Sequence, residues 1–216
     1  HLLKPLLMKK ISLLLFCFFI ASILMAQRTY IWCGTLIDGI SDEPKKNMTI
    51  VVEKDKIIGI ENGFTEAGPN DKTIDLKSRT VTPGWIDMHV HVEMETKKGN
   101  VADRFILNPA DVAFESIRYV NVTLMSGFTT VRDLGGSGVN ISLRNAINKG
   151  WITGPRIYTA GKSIATTGGH ADPTNGYRKD LMGDPGPREG VVNGPEDAYQ
   201  GVRQRYKDGS DLIKIT

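Results

Sequence analysis

Thr80-Val81-Thr82-Pro83-Gly84-Trp85-Ile86-Asp87-Met88-His89-Val90-His91 contains the change of pattern that divides this 216-residue chain. Before Pro83-Gly84 the chain carries short β-rich runs at Tyr30 to Cys33, Met48 to Val52, Ile57 to Ile60 and Thr80 to Thr82. Turn formers such as Asp38-Gly39, Asp55-Lys56 and Asn62-Gly63 separate them. This predicts a small antiparallel β unit over residues 27–82. After Pro83-Gly84, hydrophobic strands alternate with stretches of helical period. Strands are expected at 85–91, 129–133, 156–160 and 211–215. Helices are expected at 111–120, at 141–149 with Gly150 as the stop, and from Pro195-Glu196-Asp197 onward. A long Gly-rich loop covers 161–193. Four strands with three helices between them form a parallel α/β succession, either an open doubly wound sheet or a barrel.

Length separates these two. An eightfold barrel takes about 250 residues, so residues 83–216 correspond to roughly its first half, and the stop directly after an apolar strand reads as a truncated frame. A half barrel leaves a strand edge unpaired and is expected to aggregate by itself and to be inactive alone.

Residues 1–26 have a different character. Met8-Lys9-Lys10 precedes an apolar run from Ile11 to Met25, and Ala26-Gln27 follows. That is the three-part layout of a signal peptide, with cleavage expected after Ala26. The run is shorter than the roughly 20 residues a membrane span needs. The mature protein is therefore expected in the periplasm or outside a bacterial cell, with no membrane attachment once the leader is cut.

The leader holds Lys4, Lys9 and Lys10, so the remainder has 24 basic and 24 acidic residues. This balance gives no charge argument for a nucleic-acid partner. With Cys17 in the leader, Cys33 is the one thiol left in this segment, which excludes an internal disulfide framework and a cysteine-based zinc site within it. Cys33 reads as a small buried apolar residue on a strand.

Four residues carry the candidate chemistry. His89 and His91 are two apart on a strand, so both imidazoles face one side and can converge on one ion. By spacing alone the pair also fits two histidines on a half-exposed strand. Lys214 sits among Leu212, Ile213 and Ile215, where an amine is neutralised, paired or chemically altered, or else reaches water past a packed stem. One such alteration is addition of carbon dioxide to give an anionic carbamate. His170 stands on the long loop behind Gly168-Gly169, which lets the backbone approach a ligand. Asp87 alternates with the two histidines and is placed to orient an imidazole or to pair with a cation. Gly135-Gly136-Ser137-Gly138 fits an anion cradle or a tight βα turn. Met88, Met94, Phe114, Tyr119, Met125 and Phe128 read as packing residues.

These motifs, together with Leu36-Ile37-Asp38-Gly39 and Gly127-Phe128-Thr129-Thr130-Val131-Arg132-Asp133, resemble the amidohydrolase superfamily. The stretch from Gly154 to Asp172 is similar to its branch of imidazolonepropionase-like proteins and prolidase-like Xaa-Pro dipeptidases and carboxypeptidases. The resemblance implies an α/β fold: a (β/α)8 barrel beside a small β-sandwich. His89 and His91 would be metal ligands, Lys214 a carboxylated lysine bridging two divalent ions, most commonly zinc, and His170 a substrate contact. Two further histidines and an aspartate of the family would lie beyond Thr216. The implied reaction is hydrolysis of an amide or peptide bond in a small carboxylate-bearing substrate by a hydroxide held between the ions. A cyclic amidase, a lactonase or esterase, and a non-catalytic secreted binding protein remain open on the same scaffold, and a homo-oligomer is compatible with it.

Overall fold

The structure is a computed structural model that describes residues 27–96 and 100–216. The leader expected at 1–26 lies outside the described residues. Two compact units divide between Pro83 and Gly84.

The first unit is one four-stranded sheet of β1 (Arg28–Leu36), β2 (Lys45–Glu53), β3 (Lys56–Asn62) and β4 (Lys72–Val81), in the order β3-β2-β1-β4. The β1–β2 and β2–β3 pairs are antiparallel. The expectation of a wholly antiparallel unit needs correcting, because β4 pairs with β1 in parallel. The reason is the route of the chain. After β3 it crosses through residues 63–71 to the far edge of the sheet, pinned on the way where Thr49 Oγ1 donates to Gly63 O at 2.7 Å and Trp32 Nε1 donates to Thr65 O at 2.8 Å. Cys33, Leu36, Met48 and Ile50 form the buried cluster of this unit. Burial also pushes the Cys33 thiol pKa up, which suits a packing role. Among the described residues the unit is a single sheet.

The second unit is built on three parallel strands, β5 (Trp85–Val90), β6 (Phe128–Asp133) and β7 (Arg156–Thr159), in that order. Between them run α2 (Pro109–Met125) and α3 (Val139–Asn148), and α5 (Pro195–Asp208) follows β7. Each helix starts and stops for local reasons. Pro109 opens α2, where the Asp111 carboxylate accepts the Asn108 N–H at 2.8 Å. Past the end of α3, Gly150 takes a positive φ of 70°. Val120, Val131, Leu143 and Ile157, one from each of α2, β6, α3 and β7, form the core with Val92. Two short helices fall in segments expected as loop: α1 (Asn100–Ile106) and α4 (Lys179–Met182).

Two further expectations change. Residues 211–215 are not a fourth strand: the chain makes one parallel bridge, Ile215 with Ile164. Gly161, at φ 65°, turns the chain away after β7, so Asp211 bonds to Thr159 while Lys214 and Thr216 bond to Ile164, and no ladder of consecutive pairs develops. Of the expected packing residues, Phe128 joins the core, but Met88, Met94, Phe114 and Met125 are exposed, since they lie on faces that no described element covers.

The β1–β4 pairing depends on one close approach. A Cβ on Gly34 would lie 1.9 Å from the Lys77 carbonyl oxygen, at the register shift between Cys33 and Thr35. Gly34→Ala should therefore lower stability by at least about 1–3 kcal/mol, whereas Gly59→Ala in β3, where the nearest atom is at 3.8 Å, should be close to neutral. Denaturant melts of the two variants check the contrast.

Candidate functional site

His89, His91, His170 and Lys214 all line one cavity of about 800 Å³ in the second unit. The C-terminal end of β5 supplies the first two, the loop after β7 supplies His170, and the bridge segment at Ile215 supplies Lys214. The rings of His89 and His91 have centroids 5.5 Å apart at an interplanar angle of 62°. The Asp87 carboxylate accepts the backbone N–H of His89 at 2.9 Å, a bond to the chain and not to an imidazole. Lys214 is half-buried, and its backbone carbonyl accepts from Ile164 N at 2.8 Å.

His91 has a defined tautomer. Its Nδ1 lies 2.7 Å from the carbonyl oxygen of Gly135. A carbonyl only accepts, so the hydrogen resides on Nδ1, and Nε2 of the neutral ring keeps its lone pair. This is the form in which a histidine binds a metal. Among the described residues no three His, Cys, Asp or Glu side chains gather as a metal-holding cluster. The candidate donors here are two imidazoles and one amine, and a lysine becomes a ligand once its ammonium proton is lost, as a neutral amine or as an anionic carbamate. On that chemistry the residues present fit a divalent ion.

Behind the imidazoles lies a buried acidic pair. Asp133, at the end of β6, is fully buried; it accepts Gly135 N at 2.9 Å and Val92 N at 3.3 Å, with Asn140 Nδ2 at 3.4 Å. Glu93 is 5% exposed and accepts both Ser137 N and Asn140 N at 2.6 Å. The turn after β6 is thus a tight βα turn whose Gly135, Ser137 and Asn140 amides are taken by acids of the protein itself and whose Gly136 amide is taken by the Gly161 carbonyl, which answers the alternative of a cradle for an external anion. Sequence reading did not single out Glu93. Its signal was present as a third alternate position in His89-Val90-His91-Val92-Glu93.

The loop carrying His170 is held by Asp172, which is buried and accepts from Gly168 N at 2.9 Å and Thr174 Oγ1 at 2.6 Å. The bond from the Thr174 hydroxyl, with those from the two backbone amides, lowers the Asp172 pKa below the usual range. His170 itself is exposed at the cavity wall.

Residues 80–216 match the model of the amidohydrolase family. The chain belongs to that family. It is 30% identical over 213 residues to ochratoxinase from Aspergillus niger, an alignment covering 91% of this chain and 43% of that protein. Among solved structures it is similar to a Xaa-Pro dipeptidase with methionine bound in the active site, with a TM-score of 0.79 and 49% identity over 88% of this chain and 47% of that one. It is also similar to a prolidase complexed with N-methylphosphonate-L-proline, with a TM-score of 0.70 and 29% identity over 88% of this chain and 46% of that one. The chain spans less than half the length of each of these relatives.

The buried acids make stability pH-dependent in a definite direction. Burial pushes the Asp133 carboxyl from 3.8 up to about 6, and the Glu93 charge acts the same way, against the bonds from Gly135, Val92 and Asn140. The folded state then holds this proton more tightly than the unfolded chain. The resulting stabilisation is complete below pH 4 and is lost as pH rises through about 6, a change on the order of 3 kcal/mol. Asp172 and Asp38, with lowered pKa values, act in the opposite sense, at and below about pH 4. Denaturant unfolding of the metal-free protein between pH 4.5 and 7 should show stability falling with pH, and Asp133→Asn should flatten that slope.

Proposed function

We propose that the whole protein is a metal-dependent hydrolase of amide or peptide bonds in small, carboxylate-bearing substrates, of dipeptidase type. The observation that carries this reading is the convergence of His89, His91 and Lys214 on one cavity, with His91 in its ligand tautomer. The likeness to a Xaa-Pro dipeptidase at 49% identity and to ochratoxinase supports the bond type. In this reading His89, His91 and Lys214, the last as a carbamate, would hold two divalent ions, with zinc the expected metal. When bound, such ions lower the pKa of water and polarise a carbonyl.

The chain's own residues do the rest. Asp87 fixes the backbone that carries His89, and the Gly135 carbonyl keeps the His91 proton on Nδ1. His170 faces the same space from the opposite loop, where a cationic or hydrogen-bonding imidazole can hold the substrate carboxylate. The apolar part of the wall, including Met94, Val112 and Met182, suits a small side chain. Closure of the full (β/α)8 barrel, completion of the β-sandwich, and the two further histidines and aspartate of the family belong to this proposal. So does export, which rests on the composition of residues 8–26.

Elemental analysis and Xaa-Pro dipeptide hydrolysis by the whole protein test the reading. Wild type should purify with a divalent metal or take one up. Lys214→Ala should lose metal and lower turnover by more than about 100-fold, beyond the cost of removing an outer partner of a ligand. A wild-type protein that is metal-free and fully active would contradict the proposal.

A further inference from the structure

The turn that receives the His91 proton is built from amides whose acceptors are all buried. Three consecutive N–H groups are committed: Gly135 to Asp133 Oδ1 at 2.9 Å, Gly136 to Gly161 O at 2.8 Å, and Ser137 to Glu93 Oε2 at 2.6 Å. Glu93 Oε1 takes a fourth, Asn140 N, one turn further on at 2.6 Å. In a trans peptide the C=O and N–H point in opposite directions. With the Gly136 N–H fixed on Gly161 O, the Gly135 C=O is aimed the other way, onto His91 Nδ1. The next peptide plane is fixed by Glu93.

Space permits no other residue in this arrangement. A Cβ on Gly136 would lie 2.5 Å from Glu93 Oε1 and 2.8 Å from Asn140 Nδ2, and one on Gly135 would lie 2.4 Å from Ser163 Oγ. The carboxylate therefore approaches the backbone as closely as glycine allows. Glu93 also follows His91 by two residues, so one chain segment delivers both the imidazole and the acid that fixes the peptide next to the imidazole's acceptor.

We propose that Glu93 is a positioning residue: by fixing the Gly136–Ser137 peptide, next to the peptide whose carbonyl meets the imidazole, it holds His91 as the Nδ1–H tautomer with Nε2 free toward the cavity. This inference rests on the metal reading above for its consequence, but not for its geometry. Charge-assisted bonds from backbone amides to a carboxylate are among the stronger and shorter hydrogen bonds, which gives this βα turn the rigidity a ligand requires. Outer partners of ligating histidines are worth about 10- to 100-fold in metal affinity.

The test uses metal-free whole protein labelled with ¹⁵N-histidine, with His91→Gln to assign the resonance. Wild-type His91 should show the Nδ1–H tautomer alone. Glu93→Ala and Gly136→Ala should convert it to a mixture of tautomers, Glu93→Gln, which keeps the shape and one acceptor, should fall between, and zinc affinity should drop about 10- to 100-fold in the same order. Folded variants that retain a pure Nδ1–H tautomer would overturn the inference, as would a wild type that is already mixed. Unfolding of all three variants would overturn it too, by making Glu93 a residue of stability. If wild type takes up no zinc, the metal reading fails, and the tautomer comparison still decides the role of Glu93.

Discussion

One hydrogen bond, from His91 Nδ1 to the Gly135 carbonyl, joins the end of β5 to the turn after β6, and the candidate site depends on it. It can form only because β5 and β6 are parallel neighbours, with Val90 paired to Asp133, so that the two strand ends reach the same edge of the sheet. Parallel strands joined by helices place all their C-terminal ends on one side. His89, His91, Asp133 and the loops after β6 and β7 are therefore neighbours by topology, although His170 on the last of these loops follows His89 by 81 residues. The packing of Val120, Val131, Leu143 and Ile157 beneath them is what keeps this edge in register.

The electrostatics of the edge follow from burial. Glu93 and Asp133 are removed from water close to each other, which raises the Asp133 pKa, and their compensation comes largely from backbone N–H groups. A buried carboxylate without such donors would be far more costly. The same bonds that make the charge tolerable immobilise the turn, so the local stability of the acids and the orientation of the imidazole are one property. On the other side of the cavity Asp172 plays the corresponding part for the loop of His170, with hydroxyl and amide donors and a lowered pKa.

What could be read from sequence was local. The Pro83-Gly84 break, the helix expected at 111–120, the stop at Gly150 and the His89-x-His91 pair are patterns of a few residues; the helix runs over Pro109–Met125, longer at both ends, and Gly150 takes its positive φ past the end of α3. What could not be read was non-local. The parallel β1–β4 pairing is set by a crossover that no periodicity reports. Lys214 sits in an apolar run that looks like a strand, yet the bend at Gly161 leaves it a single bridge. Glu93 looked like one more polar residue after a strand, since the amides it binds lie 44 and 47 residues away. Phe114 and Met125 are exposed; hydrophobicity says that a residue prefers burial, not what stands ready to bury it.

The most direct measurement is anomalous diffraction at the zinc edge from crystals of the whole protein grown with zinc and bicarbonate. The account predicts a peak about 2.0–2.1 Å from Nε2 of His91 and from a nitrogen of His89, with carbamate density on the Lys214 amine. A peak elsewhere, a zinc bound through His91 Nδ1, or an unmodified Lys214 directed away from the imidazoles would contradict it.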